Sequence, residues 1–167
     1  AVRHIRNGCT TLHHNESGAA LDPNFQTACA KKIEGYQSTG IRLAFSPGIR
    51  NINTLAYDDR AFLETLPPDL REEAASRVFI DHERAADEYM DAFEALYARY
   101  NGERTRIFFG PNWVQGSTDD FLLRVRARAR ELGRIPIHLH CLQTPVQKAF
   151  GLRKYGKSLV MHLDDLG

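Results

Sequence analysis

Four short stretches of the chain are rich in β-branched, aromatic or aliphatic residues, and each is bounded by turn formers. They are Cys9–His13 (CTTLH), Ile41–Phe45 (IRLAF), Thr105–Phe109 (TRIFF) and Ile135–Leu139 (IPIHL). Such runs read as buried strands. Periodicity alone does not separate runs this short from buried helix, so the flanking segments decide. Between the first two, Phe25, Ala28, Cys29, Lys32, Ile33 and Tyr36 recur at steps of three and four, which predicts a helix over Asn24–Ser38 ended by Gly40. Ala85, Ala86, Tyr89, Met90, Phe93, Leu96, Tyr97 and Tyr100 make a second helix from His82 to Tyr100. Asp81 and Glu83 stand at its start, where the helix dipole favours acids. A third helix follows Ser117 as its cap, buries Phe121, Leu122, Val125, Ala129 and Leu132, and stops at Gly133. Arg124, Arg126, Arg128 and Arg130 lie among those positions. Their pattern reads as a solvated outer face with stems packed on apolar surface, in preference to a phosphate site.

Strand and helix alternating at about 30-residue spacing mark β/α units with a parallel sheet. The interval from Phe45 to Thr105 is about twice as long. It reads as one unit with an insertion on the C-terminal side of the strand: a loop (Ser46–Asp58), a helix pair broken at Pro67-Pro68, and the long helix. In barrels that side carries the active site. The fold class is therefore α/β, with about four β/α units. That is half of a (β/α)8 TIM barrel, which needs roughly 250 residues. A complete open sheet in doubly wound order uses the same strands, and sequence does not give their order.

Composition narrows the partners. The 167 residues carry a net charge of +1 from 22 basic and 21 acidic side chains, which offers no electrostatic handle for nucleic acid or an anionic membrane. No apolar run approaches the ~18–20 residues of a membrane helix. Cys9, Cys29 and Cys141 are odd in number and form no C-x-x-C pair, so a reducing, cytoplasmic setting is the expectation. The missing initiator Met and the abrupt ends suggest an excerpt. The expected partner is a small-molecule substrate, with a homo-oligomer left open.

Three motifs could carry chemistry. In IPIHLHCLQT, His138 and His140 sit two apart on a predicted strand and face one side. An imidazole at a strand end can reach a metal; a hydrogen-bonded core or rim histidine is the alternative. Gln143 at the same rim can donate and accept hydrogen bonds but cannot act as a general base. In TTLHHNE, His13 and His14 are neighbours, so on a strand they point to opposite faces. In FGPNWVQGS, a turn-rich strand-to-helix loop, Asn112, Trp113 and Gln115 suit a pocket for a flat polar molecule, or Trp113 simply packs. His4, His82 and His162 read as structural or surface residues. No P-loop, G-x-G-x-x-G or G-x-S-x-G pattern is present.

Taken in order, these motifs resemble the amidohydrolase superfamily, in its branch of cytosine-deaminase-like and triazine-hydrolase-like enzymes. RNGCTTLHH resembles the second barrel strand, YQSTGIRLAFSPGI the third, and RIFFGPNWVQGSTDDFLLRVRARARELGRIPIHLHCLQT the fourth strand, its helix and the fifth strand. YGKSLVMHLDDLG resembles the stretch leading toward the sixth. The resemblance implies that residues 1–167 are a partial domain of a metal-dependent hydrolase barrel. It implies a divalent metal, zinc or iron, with His140 as the fifth-strand ligand and the other ligands outside the chain. The implied enzyme is of deaminase or chlorohydrolase type. It acts on carbon–nitrogen bonds other than peptide bonds in a small, cyclic substrate, with metal-bound hydroxide as nucleophile. Gln143 would orient substrate or water, Asn112, Trp113 and Gln115 would shape the pocket, and His13 or His14 would reach its rim. The chain alone is expected to be inactive. Family members commonly carry a carboxylate where this chain has Gln143. That departure keeps a non-catalytic binding module of the same fold in view, beside the complete open-sheet binding domain.

Overall fold

The computed structural model describes residues 1–167. The elements in chain order are α1 (Val2–Arg6), β1 (Thr11–Asn15), α2 (Phe25–Gln37), β2 (Arg42–Ser46), α3 (Asp59–Glu64), α4 (Pro68–Val78), α5 (His82–Tyr100), β3 (Thr105–Ile107), α6 (Asp119–Glu131), α7 (Pro145–Tyr155) and α8 (Leu159–Leu166). A single 3-10 turn, Val114–Gly116, precedes α6. The strands are parallel and lie side by side in sequence order, β1-β2-β3. Parallel bridges at Phe109↔Ile137 and Trp113↔His140 carry that order on to the fourth apolar stretch. Neighbours in sequence order are what a barrel segment requires, and the doubly wound alternative falls.

The helices match the apolar stripes closely; the strands move. β1 begins two residues later than predicted, because pairing with β2 extends through the polar pair Asn15↔Ser46. The fourth stretch is not a regular strand. Pro136 has no N–H to give to a ladder, and Arg134 (φ 61°) and Leu142 (φ 55°) bend the chain on either side. Ser117 is not the cap of α6. The hydroxyl of Thr118 accepts from Phe121 N–H (3.2 Å), while Ser117 Oγ donates to the Trp113 carbonyl (2.9 Å). The segment that leads toward the sixth strand, 155–167, is helical as α8, and α7 precedes it.

Alternation along the strands sorts the sheet into two faces. Leu43, Phe45 and Ile107 are buried among Phe25, Cys29 and Ile33 of α2, Ala85, Tyr89, Phe93 and Leu96 of α5, and Phe121 and Val125 of α6. Phe93 stacks on Phe109 with centroids 3.5 Å apart. The opposite face carries His13, Arg42 and Arg106 and is open to solvent. The arginine-rich side of α6 makes ion pairs with α5, Arg124 to Asp87 and Arg128 to Glu94, as a solvated outer face does. A second apolar cluster of Val114, Leu122, Phe150 and Leu159 joins α7 and α8 to this frame.

Pairing does not stop where the strands do. Glu16 N–H donates to Ser46 O (2.9 Å), Gly18 N–H to Gly48 O (2.7 Å) and Asn112 N–H to Ile49 O (3.1 Å). His138 N–H donates to Phe109 O (2.7 Å) and His140 N–H to Asn112 O (3.0 Å). The loops beyond the C-terminal strand ends thus form one continuous backbone ladder. Gly48 is where it is tightest. A Cβ there would lie 2.4 Å from Gly110 O and 2.6 Å from Glu16 O, so no larger residue fits. Tyr89 braces the ladder from the helix layer. Its buried hydroxyl donates to Pro47 O (3.0 Å) and accepts from Gly110 N–H (3.0 Å). The insertion folds against the same end. The buried Asp59 carboxylate collects the N–H groups of Thr54 (2.7 Å), Leu55 (3.1 Å) and Ala56 (2.6 Å).

Candidate active site

The backbone ladder brings three of the singled-out segments to one place. His13 and Asn15 leave β1 on its open face, Ser46 ends β2 beside them, and His138 and His140 arrive from the fourth stretch. His13 Nε2 meets Ser46 Oγ at 2.9 Å. Its ring stands edge-on to His138 (centroids 4.6 Å, 88°), and His138 stands edge-on to His140 (5.1 Å, 87°). The Asn15 side-chain amide reaches His140 Nε2 at 2.7 Å, and the Gln143 amide lies 3.5 Å from His140 Nδ1. Two polar atoms in this cluster are buried without a partner: His138 Nε2 and Asn15 Oδ1.

The surroundings of His13 and His138 disfavour the charged form of both rings. Burial, then the neighbouring His14, lowers the pKa of His13. Burial, then His13 and His140, lowers that of His138. Neutral imidazoles retain a lone pair for a proton or a metal.

His14 is not part of this cluster. One residue on from His13, it points to the helix layer, where it stacks on Phe45 (5.0 Å) and bonds Tyr36 Oη (2.9 Å) and Glu16 (3.1 Å). Only His13 of the pair faces the site, as strand alternation demands.

The FGPNWVQGS loop forms one wall. Trp113 pairs by a backbone bridge with His140. The Arg50 guanidinium lies 4.3 Å over its ring, and the Tyr57 ring is nearly parallel to it, centroids 6.5 Å apart. Asn112 is buried and donates from Nδ2 to Ser17 Oγ (2.5 Å), so its side chain fastens this loop to the one after β1. Gln115 is 2% exposed, yet neither its Oε1 nor its Nε2 has a partner. A buried primary amide with no hydrogen bond costs a few kcal/mol and marks a place for a water or a ligand group. Gln143 is exposed at the rim, its Oε1 3.4 Å from Gln147 Nε2.

Sequence reading missed Asn15, Ser17, Ser46, Arg50 and Tyr57. Asn15 and Ser46 would follow from carrying the strands two residues and one residue further, since polar ends on the face of His13 repeat its two-residue step. Arg50 and Tyr57 carry no pattern that links them to Trp113. Burial, together with the charge of Glu16, pushes the Cys29 thiol up to about 12, and burial raises that of Cys141, which disfavours the reactive thiolate at both. His162 is buried, bonds Asp119 (2.8 Å) and stacks on Tyr155 (3.7 Å), a structural role.

No three His, Cys, Asp or Glu side chains converge where they could hold a metal ion. No helix is long and apolar enough to cross a membrane.

No protein-family model matches the chain. Among curated proteins, a 5-methylthioadenosine/S-adenosylhomocysteine deaminase of Nitratidesulfovibrio vulgaris (strain DP4) is 33% identical over 115 residues, 68% of this chain and 25% of the relative. A protein of the same description from Desulfitobacterium hafniense (strain DSM 10664 / DCB-2) is 34% identical over 85 residues, 51% of this chain and 19% of the relative. A 5'-deoxyadenosine deaminase of Methanosarcina mazei is 34% identical over 64 residues, 38% and 15% respectively. In fold, 99% of the chain superposes on 33% of a mutant atrazine chlorohydrolase from Arthrobacter aurescens TC1 complexed with zinc and atraton (TM-score 0.72, 17% identity). It also superposes, over 98% of its length, on 29% of an adenosine deaminase from Xanthomonas campestris with bound zinc (TM-score 0.64, 19% identity). The chain spans a quarter or less of the curated relatives it matches.

Proposed function

We propose, for a chain that matches a segment of amidohydrolase-superfamily barrels in both sequence and fold, that it serves a hydrolase of the deaminase or chlorohydrolase type. The reaction is cleavage of a carbon–nitrogen bond other than a peptide bond, or loss of halide, at an electron-poor carbon of a small cyclic substrate. Residues 1–167 are then one part of a barrel domain, working in the cytoplasm on a small molecule, with no nucleic-acid or membrane partner and with self-association compatible. The observation that carries this reading is the joining of Trp113 to His140 at the C-terminal strand ends, a flat aromatic wall beside a metal-competent imidazole.

His140 would supply one ligand to a divalent metal, zinc before iron, completed by residues outside the chain. Such a metal supplies Lewis-acid polarisation and lowers the pKa of water. The chain's own side chains do the rest. Trp113, backed by Arg50, offers a face on which a ring can stack. The partnerless Gln115 amide can complement a polar ring edge, and Asn112 holds the wall in place. His13 closes the inner end. Gln143 orients substrate or water through a neutral amide and moves no proton itself. That neutral amide is also the observation that favours a non-catalytic binding module.

The test assays the 167-residue chain, and the same chain continued to barrel length, with zinc and a panel of amino- and chloro-substituted purines and triazines. Ammonia and chloride release are followed. The short chain is expected to be silent and the long one to turn over, with loss of activity in His140→Ala. Turnover by the short chain, or an active His140→Ala barrel, refutes the reading. Binding without turnover by the long chain favours the non-catalytic module.

A further inference from the structure

We propose that Arg42 and Arg104 form an oxyanion-binding site at the N-terminal end of the sheet, the opposite end from His140. The ligand class is a small dianion, a phosphate group or a dicarboxylate. Strand register places the pair. Leu43 is the partner of Thr105, so one residue earlier Arg42 stands beside Arg104, and Leu43 N–H donates to Arg104 O (2.9 Å). Leu43 and Thr105 are buried on the helix side, so alternation sends Arg42 and Arg104 to the open face. Both are exposed. Arg106, the partner of Ala44, follows on the same face, diagonal to Arg42.

Like charges side by side on neighbouring strands repel, and a guanidinium cannot shed its proton to relieve this. Elsewhere the chain answers exposed arginines with carboxylates: Arg84 with Glu88, Arg99 with Glu34, Arg124 with Asp87. No carboxylate does this for Arg42, Arg104 or Arg106. None of the three strands contains an Asp or a Glu.

A cleft of about 260 Å³ opens at the pair, lined by Ile5, Thr10, Thr39 and Gly40 besides the two arginines, and no acidic residue lines it. A Cβ on Gly40 would lie 3.9 Å from Arg104 Nη1, so the guanidinium reaches across the start of β2. Thr39 Oγ1 donates to Tyr36 O (2.7 Å), whereas Thr10 is exposed with its hydroxyl free to turn toward a ligand. Glu103 lines the neighbouring cleft with Gln37 and Tyr100 and makes no ion pair with Arg104. Two guanidinium forks and no competing carboxylate are what an oxyanion requires. At ~30 Å³ for each water of the liquid, the cleft has room for a phosphate group. A bound dianion turns the repulsion into a clamp across the starts of β2 and β3. The strands run roughly 13 Å from here to Asn15 and Ser46, so the site is separate from the imidazole cluster.

The experiment titrates the metal-free 167-residue chain with inorganic phosphate and, separately, with succinate, at an ionic strength held constant with sodium chloride. Thermal unfolding is expected to show a saturable rise of a few degrees in the midpoint. 31P NMR line broadening reads phosphate binding directly. A response to phosphate alone identifies a phosphate site, to succinate alone a dicarboxylate site, and to both a site that selects by charge. Arg42→Gln and Arg104→Gln are each expected to abolish the response, and Lys148→Gln on α7 to keep it. If one arginine variant does not fold, the other and the line broadening of the unaltered chain decide. No saturable response to either anion overturns the proposal. So does a response that both arginine variants retain, or that Lys148→Gln loses to the same extent. The readout needs neither metal nor turnover, so its outcome is independent of the hydrolase reading.

Discussion

Tyr89→Phe tests the claim that a helix-layer hydroxyl holds the strand ends together. The ring is 1% exposed and packs edge-on to Phe121 (5.1 Å), so phenylalanine keeps the shape and nearly all of the apolar contact. What is lost is one atom with two partners, the Pro47 carbonyl and the Gly110 N–H, both inside the protein. A typical hydrogen bond contributes about 1 kcal/mol net, and a buried donor left without a partner costs about 1–3 kcal/mol. The sum is a loss of about 3 kcal/mol, a large share of the ~5–15 kcal/mol that holds a typical domain. Urea unfolding followed by far-ultraviolet circular dichroism measures it as a lower midpoint at unchanged slope. Amide exchange at Gly110 should quicken out of proportion to other core amides. A change under about 0.5 kcal/mol, within what a neutral surface substitution does, would refute the bracing role.

Other outcomes follow from the same geometry. Gly48→Ala should destabilise by about 3 kcal/mol or prevent folding, since overpacking costs 1–3 kcal/mol even where neighbours can shift and here both are backbone oxygens; near-native stability would show that the ladder yields. Asn51→Ala, which removes bonds to Thr118 N–H (3.0 Å) and Oγ1 (3.0 Å) and to His82 O (3.3 Å), should cost about 2–3 kcal/mol in the same urea assay. Burial raises the pKa of Glu16, but Lys32 and His14 outweigh it and hold the carboxyl below 4.5. The folded state then binds fewer protons than the unfolded one, so this stabilisation is present above pH 4.5 and is lost as pH falls through the folded value; Glu16→Gln should flatten that acid limb. His13 and His138, with pKa values below 6.5, contribute stability that is full above pH 6.5 and declines as the unfolded chain protonates first. A His13→Gln/His138→Gln variant should lose that slope, and a midpoint equally pH-dependent in both proteins would contradict the placement.

The helices were legible because their signal is a repeated one. Over α5 the stripe of eight apolar positions and an acid cap agree, and the boundaries match residue for residue. Strand ends were not legible, since Asn15 and Ser46 are polar and pairing, not hydrophobicity, keeps them in the sheet. The fourth stretch looked as apolar as the others, but Pro136 and the turned backbone at Arg134 reduce it to isolated bridges, and no local pattern announces that. In the site, the two-residue step drew attention to His138 and His140 together, the resemblance picked out His140 of the two, and alternation already warned that His13 and His14 part company. The partners of His140 could not be found, because Asn15 reaches it from a distant strand through register alone.

The ladder of loop backbone from Glu16 to His140 has a consequence for how such a site diversifies. Its contacts are made by N–H and C=O groups that every residue except proline can provide. Side chains at the rim can therefore be exchanged while the peptide frame that positions His140 stays put. Apart from the tight glycine at position 48, side chains along the ladder can vary more freely than its length: a different residue at 113 or 115 changes the face that the wall presents, whereas one residue added or removed between 108 and 112 would slide the whole wall out of step.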